Sequence, residues 1–438
     1  MPRPTDQHSA SPVPPPLDPD AFDVGSTEDS LPRLIDAAAR SGDLFRIHAP
    51  GRGADTWFLN SPADIKRVLV TNHRNYTKGI GLDRVRILLG DGIMTSEGDL
   101  WRRQRRMIQP FFHRRVIETF AETIDSAVAE RMRLWSRSAE SGEPIAMTSE
   151  MSELTLAIIL RSLFGDDLEW LTERIGQNPF AIVTEHAARD LQFAYRFRSL
   201  VRLVGELVAR RRAENLDRPD FLGMLMAARD KETGAPMPDR ELLDEAMTLV
   251  VAGHETSASA LNWTWYLLAT HPEVYDRVAR EAQGLQPDQR LTYADAESLR
   301  ETRSVILEAM RLYPPGWILS RRTLTEDVLS GHRIPAGTDV MLSPYLIQRH
   351  PKHWESPDEF RPERFLDDDP RDRWIYIPFA AGPRHCVGEN FAMYEMTVHV
   401  ARVAARWRME YLDDGPLDIE AAINLRTRNE LRMRLHSR

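Results

Sequence analysis

Cysteine is nearly absent from this sequence: Cys386 is the only one in 438 residues. One thiol excludes an internal disulfide and any metal site built on two or more cysteine ligands. Lysine is scarce too, with only Lys66, Lys78, Lys231 and Lys352 among the many arginines. Acidic residues outnumber basic ones 66 to 57, a net charge of −9 that argues against a general nucleic-acid binder. No stretch approaches the roughly 18 consecutive apolar residues of a membrane-crossing helix. The N-terminus, MPRPTDQHSASPVPPPLDPD, lacks the apolar core of a signal peptide, so the expected location is the cytoplasm. There is no P-loop, no G-x-G-x-x-G after a strand, no H-E-x-x-H and no C-x-x-C-H. A nicotinamide or flavin held by the usual fingerprint is therefore excluded, as is haem attached through two thiols.

What is present is a globular composition, 42% hydrophobic and 28% charged. The Pro-rich residues 1–25 read as a flexible or extended tail, and residues 26–438 as one large catalytic domain. Residues 43–59 and 331–342 look like hairpins around Pro-Gly-Arg-Gly and Pro335-Ala336-Gly337 turns. Most of the remainder carries the i, i+3, i+4 apolar spacing of helices. The longest candidate helix runs from Asp239 to His271, where Pro272 stops it. Its middle, VVAGHETSAS, interrupts the apolar pattern with a polar cluster, which a core helix should not do without a reason.

Residues 378–391 read PFAAGPRHCVGENF and place Phe379, Gly382, Arg384, Cys386 and Gly388 in the pattern F-x-x-G-x-R-x-C-x-G. Gly382 and Gly388 allow tight turns and a close approach to a large planar ligand. Backbone N–H groups can then point at the sulfur. Arg384 is a fixed cation suited to a carboxylate, and Phe379 would keep the sulfur dry. The segment resembles the haem-ligand loop of the cytochrome P450 family, with other motifs of that family following in order. The resemblance covers nearly the whole chain after residue 25. It implies a mainly α fold with a smaller β region in a single large domain, and haem b ligated by the Cys386 thiolate.

Trp101 and Arg105 are i, i+4 on one helical face, where an indole N–H and a guanidinium suit a haem propionate. By resemblance Arg322 is a further propionate ligand, with Arg321 beside it the lesser choice. Glu308 and Arg311 share a helix face, and with Arg364 of Pro362-Glu363-Arg364-Phe365 they match the family's buried structural charge network. In Ala252-Gly253-His254-Glu255-Thr256, the Thr256 hydroxyl can reach the carbonyl of Ala252. Gly253 would let a flat ligand approach the backbone, and Glu255 with Thr256 forms an acid–alcohol pair able to deliver protons. The family uses this motif to supply the protons that oxygen activation consumes. His254 is read as groove-lining or solvent-facing, without a catalytic role.

The resemblance implies a bacterial haem-thiolate monooxygenase that takes O2, a hydrophobic small molecule, and electrons from a separate ferredoxin and ferredoxin reductase. Six arginines in residues 101–115 offer a basic face for an acidic partner. The segments that carry substrate contacts in the family offer Leu88, Leu89, Ile93, Met94, Phe180, Val251, Trp317, Ile318, Leu319, Ile423 and Leu425. Trp317 is expected to restrict volume near the iron. An apolar list of this kind favours a terpenoid or other lipophilic secondary metabolite over a fatty acid. A haem-thiolate peroxygenase or isomerase working without external electrons is the alternative within the fold. A cysteine hydrolase using His385, or a non-catalytic haem sensor, is the alternative outside it.

Overall fold

The computed structural model describes residues 14–25, 29–184, 191–285, 290–367, 370–413 and 415–438. Residues 1–13 of the expected tail, and 185–190 within the substrate-contacting region around 175–205, lie outside them. Five helices position the site: α1 (Gly98–Ile108), α2 (Met147–Phe164), α3 (Asp239–Thr270), α4 (Arg300–Leu312) and α5 (Glu389–Arg406). α3 has 32 residues and so spans about 48 Å at 1.5 Å per residue. Asp239 and Glu241 sit in its first turn, where carboxylates favour a helix. It ends before Pro272, which opens the next helix, since proline lacks the N–H that continuation needs. Among the described residues no helix is long and apolar enough to cross a membrane.

The main hydrophobic core joins α2, α3, α4 and α5 through residues such as Leu156, Ile159, Leu249, Val250, Ile306, Phe391 and Val398. α2 and α3 pack closely where Gly253 meets Ile159: a Cβ on Gly253 would stand 3.0 Å from the Ile159 side chain. The side chain that Gly253 lacks thus points at α2. This corrects the expectation that its bareness serves approach of a ligand. His254 is buried as well, with its ring 2.9 Å from the Ser152 hydroxyl of α2. It lines neither groove nor solvent.

A five-stranded sheet contains β1 (Leu44–Ala49), β2 (Ala54–Leu59), β3 (Tyr76–Lys78), β4 (Leu319–Thr323) and β5 (Asp339–Leu342), in the order β1-β2-β5-β4-β3. β1 and β2 form the expected hairpin. The second expected hairpin does not form. His332–Ile334 pairs backward with Asp327–Leu329 across Ser330 and Gly331, both of which have positive φ, the conformation that a two-residue hairpin turn needs. Pro335–Gly337 instead leads into β5, which lies parallel to β2 and antiparallel to β4. The tail boundary also moves. Leu17 bridges to Arg46, the Phe22 amide donates to His48, and Phe22 is buried in a satellite core, so the folded part begins well before residue 26.

Candidate active site

Cys386 lies two residues before the Gly388 cap of α5. Its own N–H donates to the Phe379 carbonyl at 2.9 Å, which closes the loop. The thiol is deep in the molecule yet solvent-accessible, so it borders an internal cleft. Burial pushes its pKa up, while the backbone N–H groups of Gly388 and Glu389 and the Arg105 guanidinium pull it down. Those N–H groups belong to the start of an 18-residue helix, where the helix dipole favours a thiolate. Gly382 has φ +72, and a Cβ there would strike the Leu69 carbonyl oxygen at 2.1 Å; its close approach is to a neighbouring backbone. Gly388 has φ −88 and would accept a Cβ at ordinary contact distance from Sγ, so no special turn requires it.

Around this loop the cations outnumber the acids. Arg384 stacks over Trp101 at 5.1 Å and pairs with Glu97 at 2.8 Å, but its buried Nε has no partner among the described residues. Arg105 donates to the His385 carbonyl at 2.7 Å. Arg321 is buried and donates only to the Ser320 carbonyl among the described residues. Burial and then Arg384 push its guanidinium down to about 10, with Glu97 opposing. Arg322, the expected propionate ligand, is on the other face of β4 and forms a two-pronged, half-exposed pair with Asp339. Strand geometry alternates successive side chains, so Arg321 and not Arg322 faces the cluster. Glu97 was not anticipated: one of its oxygens receives the Lys78 N–H and the other receives Arg384.

This donor set fits a haem. No group of three or more His, Cys, Asp or Glu gathers among the described residues, so a metal at the lone thiolate must bring its other ligands with it. Buried, under-satisfied guanidiniums demand an anion, and carboxylates of that same ligand answer them. Arg105, Arg321, Arg384 and Trp101 would hold the carboxylates, and Cys386 the iron.

The polar middle of α3 has a matching peculiarity. From Glu245 to Trp265 every residue is buried except Val251, Ala252, Gly253, Glu255 and Thr256. The Thr256 hydroxyl donates to the Ala252 carbonyl at 2.8 Å, leaving its lone pairs free to accept. A Glu255 carboxylate oxygen receives the Asn424 side-chain N–H at 2.9 Å, which ties it to the C-terminal hairpin formed by Ile419–Ala421 and Leu425–Thr427.

Glu308, Arg311 and Arg364 do meet, away from the cysteine. Arg311 donates twice to Glu308 at 2.7 and 2.8 Å, and Glu308 also receives Arg364 at 3.3 Å and the Arg361 amide at 2.9 Å.

The expected substrate wall divides. Leu88, Ile93, Met94, Val251, Ile318 and Leu319 keep partial exposure. Leu89, Phe180, Trp317 and Leu425 are fully buried core residues. Trp317 donates its indole N–H to the Ala422 carbonyl at 2.9 Å, so it braces the C-terminal hairpin and does not restrict the cleft. Leu425 packs in the same satellite core, with its carbonyl taking the Ser259 hydroxyl. Ile423 is 57% exposed. The arginine-rich face is largely neutralised: Arg102 pairs with Asp99, Arg103 with Glu241, Arg106 with Asp230 and Glu232, and Arg114 with Glu297.

Fold and site together define a thiolate-ligated haem protein built around one long helix. The cytochrome P450 family model matches residues 21–203 and 189–432, and the chain belongs to that family. It is 35% identical over 387 residues to cyclooctatin synthase of Streptomyces melanosporofaciens, covering 84% of this chain and 83% of the relative. It is 33% identical over 386 residues to cyclooctat-9-en-7-ol 5-monooxygenase of the same organism, with the same coverage. Pentalenene oxygenase of Streptomyces avermitilis is 30% identical over 423 residues, 92% of each chain. The protein is a cytochrome P450 monooxygenase with a thiolate-ligated haem.

Proposed function

We propose that this chain is a cytoplasmic haem b monooxygenase that hydroxylates a terpenoid, with electrons from a separate ferredoxin and ferredoxin reductase. Terpenoid-modifying relatives and a half-buried wall of Leu88, Ile93, Met94, Val251, Ile318 and Leu319 support the substrate class. The bound haem would supply activation of O2, one of whose oxygen atoms enters the substrate while the other leaves as water with the delivered electrons and protons. The chain's residues bind, orient and move protons. Cys386 ligates through Sγ. Arg105, Arg321 and Arg384 fix the carboxylates. Thr256 Oγ1 has its proton committed to the helix, so it accepts from a proton carrier in the cleft. Glu255, steadied by Asn424, replenishes that carrier.

The accessible Glu255–Thr256 pair carries this reading over a peroxygenase or isomerase, neither of which consumes delivered protons in activating O2. The test is turnover of cyclic terpenes under air with ferredoxin, reductase and NADPH, beside a peroxide-driven reaction. Product is expected from the first, and Thr256→Ala should divert at least about half of the reducing equivalents to hydrogen peroxide. Equal product without reductant overturns the reading.

A further inference from the structure

Residues 90–96 cross the first half of α3 as irregular chain, and two of the half-buried wall residues, Ile93 and Met94, belong to them. A segment outside helix and sheet needs other partners for its backbone polar groups. Some are internal, with the Thr95 and Ser96 N–H groups donating to the Gly92 carbonyl, and side chains from three elements hold others. From α3, Asp244 receives the Asp91 N–H at 2.9 Å, and Glu245 receives the Ile93 N–H at 2.9 Å. From β3, Lys78 Nζ donates to the carbonyls of Ile93 at 2.9 Å and Ser96 at 2.7 Å. From α1, Gln104 donates to the Asp91 carbonyl at 2.7 Å and receives the Ser96 hydroxyl. Gly92 lies so close to α3 that a Cβ would stand 2.2 Å from the Thr248 hydroxyl oxygen.

Ile93 is held at both ends of its polar backbone, N–H by a buried acid and C=O by a largely buried amine. Both groups are costly at such a place. Glu245 has no exposed surface, and its Oε1 has no partner among the described residues. Burial pushes its carboxyl up to about 8, with Asp244 and Glu241 pushing the same way and the Ile93 N–H and Lys78 opposing. Burial likewise brings the Lys78 amine down to about 7, helped by Arg384 and Arg321 and opposed by Glu97 and Glu245. An apolar side chain in place of Glu245 would avoid the desolvation penalty. Its hydrogen bond to Ile93 is the feature that such a replacement could not supply.

We propose that Glu245 and Lys78 are positioning residues that clamp the Ile93 backbone from opposite sides and fix residues 90–96 as a rigid wall of the substrate site. The second half of this statement rests on the reading, under Proposed function, that Ile93 and Met94 face the substrate. A rigid wall sets which part of an apolar molecule is presented, where few polar contacts can do so.

Hydrogen exchange of the haem-loaded protein reads the clamp without any substrate. Glu245→Ala is expected to speed exchange of a peptide covering 90–96 at least about tenfold, with the rest of α3 unchanged. Glu245→Gln, a neutral side chain that still accepts from the Ile93 N–H, should stay within about twofold of the parent. Lys78→Met removes the other half and should loosen the same peptide, which keeps the test open if one variant fails to fold. Clotrimazole, an azole bulky enough to touch the wall, supplies the binding measurement. Its dissociation constant should rise about tenfold in Glu245→Ala and less than about twofold in Glu245→Gln, with the thiolate spectrum of the reduced carbon-monoxide complex intact in both. Unchanged exchange in Glu245→Ala and Lys78→Met overturns the clamp. Faster exchange with unchanged azole binding overturns the wall. Neither outcome depends on whether terpenes are oxidised, so a failure of the proposed function is read separately.

Discussion

Arg311 and Arg384 are both interior guanidiniums, and their surroundings treat them differently. All five N–H groups of Arg311 find acceptors: two Glu308 oxygens and the carbonyls of Gln348, Pro357 and Glu359. The Trp354 ring covers its face at 5.0 Å. Among the described residues Arg384 has one short bond, to Glu97, a long one of 3.4 Å to the His73 carbonyl, and a buried Nε without a partner. Its neighbour Arg321 has a single backbone acceptor among them. A complete set of partners marks a cation that belongs to the framework. An incomplete set marks one arranged for an anion that the chain itself does not contain.

The largest effect separating the two regions is expected at Arg311. Arg311→Met leaves Glu308 buried with only Arg364 and the Arg361 amide, and loss of one member of such a pair costs about 3–5 kcal/mol. Urea unfolding should show that loss equally in the haem-loaded and haem-free protein. A loss confined to the haem-loaded form would make Arg311 part of the ligand site and erase the contrast.

Arg321→Met should behave in the opposite sense. It removes a buried cation that repels Arg384, so the haem-free chain is expected to be unchanged or more stable by about 1–2 kcal/mol. Haem release to excess apomyoglobin should accelerate roughly tenfold, through loss of one charge-assisted bond to a carboxylate. A haem-free chain destabilised as much as by Arg311→Met would mean that Arg321 is framework.

The sequence made some of this legible and hid the rest for physical reasons. The Cys386 loop, Ala252 to Thr256, and Glu308 with Arg311 are each local: helical spacing brings Thr256 to the Ala252 carbonyl and Arg311 to Glu308, and the resemblance to a family rests on a few consecutive residues. The 32-residue helix was legible because apolar period and Pro272 agree on its extent. Which face of an element meets which neighbour was not legible. Gly253 and His254 turn toward α2 because Ile159 and Ser152 stand there, far away in sequence. Trp317, Phe180 and Leu425 resemble pocket residues in composition, and only packing shows them to be core. Pro335–Gly337 looked like a hairpin turn because β5 takes its partners from β2 and β4, which no local pattern reveals. Glu97, Lys78 and Glu245 carry no motif at all.

The choice between Arg321 and Arg322 did have a usable signal, and the smallest expected effect tests it. In β4, Leu319, Arg321 and Thr323 share one face of the strand, and Arg322 shares the other with Ser320. Parity with Leu319 and Thr323 selects Arg321 as the inward residue. Arg322 is instead 44% exposed in its side chain, and its pair with Asp339 lies near the surface, where ion pairs contribute little. Arg322→Met should therefore change stability by no more than about 0.5 kcal/mol and leave the rate of haem release within about twofold of the parent. Measured beside Arg321→Met, the two variants differ by one position and by nothing in charge. Accelerated haem release from Arg322→Met with none from Arg321→Met would reverse the register of β4 against β5 and return Arg322 to the carboxylate site.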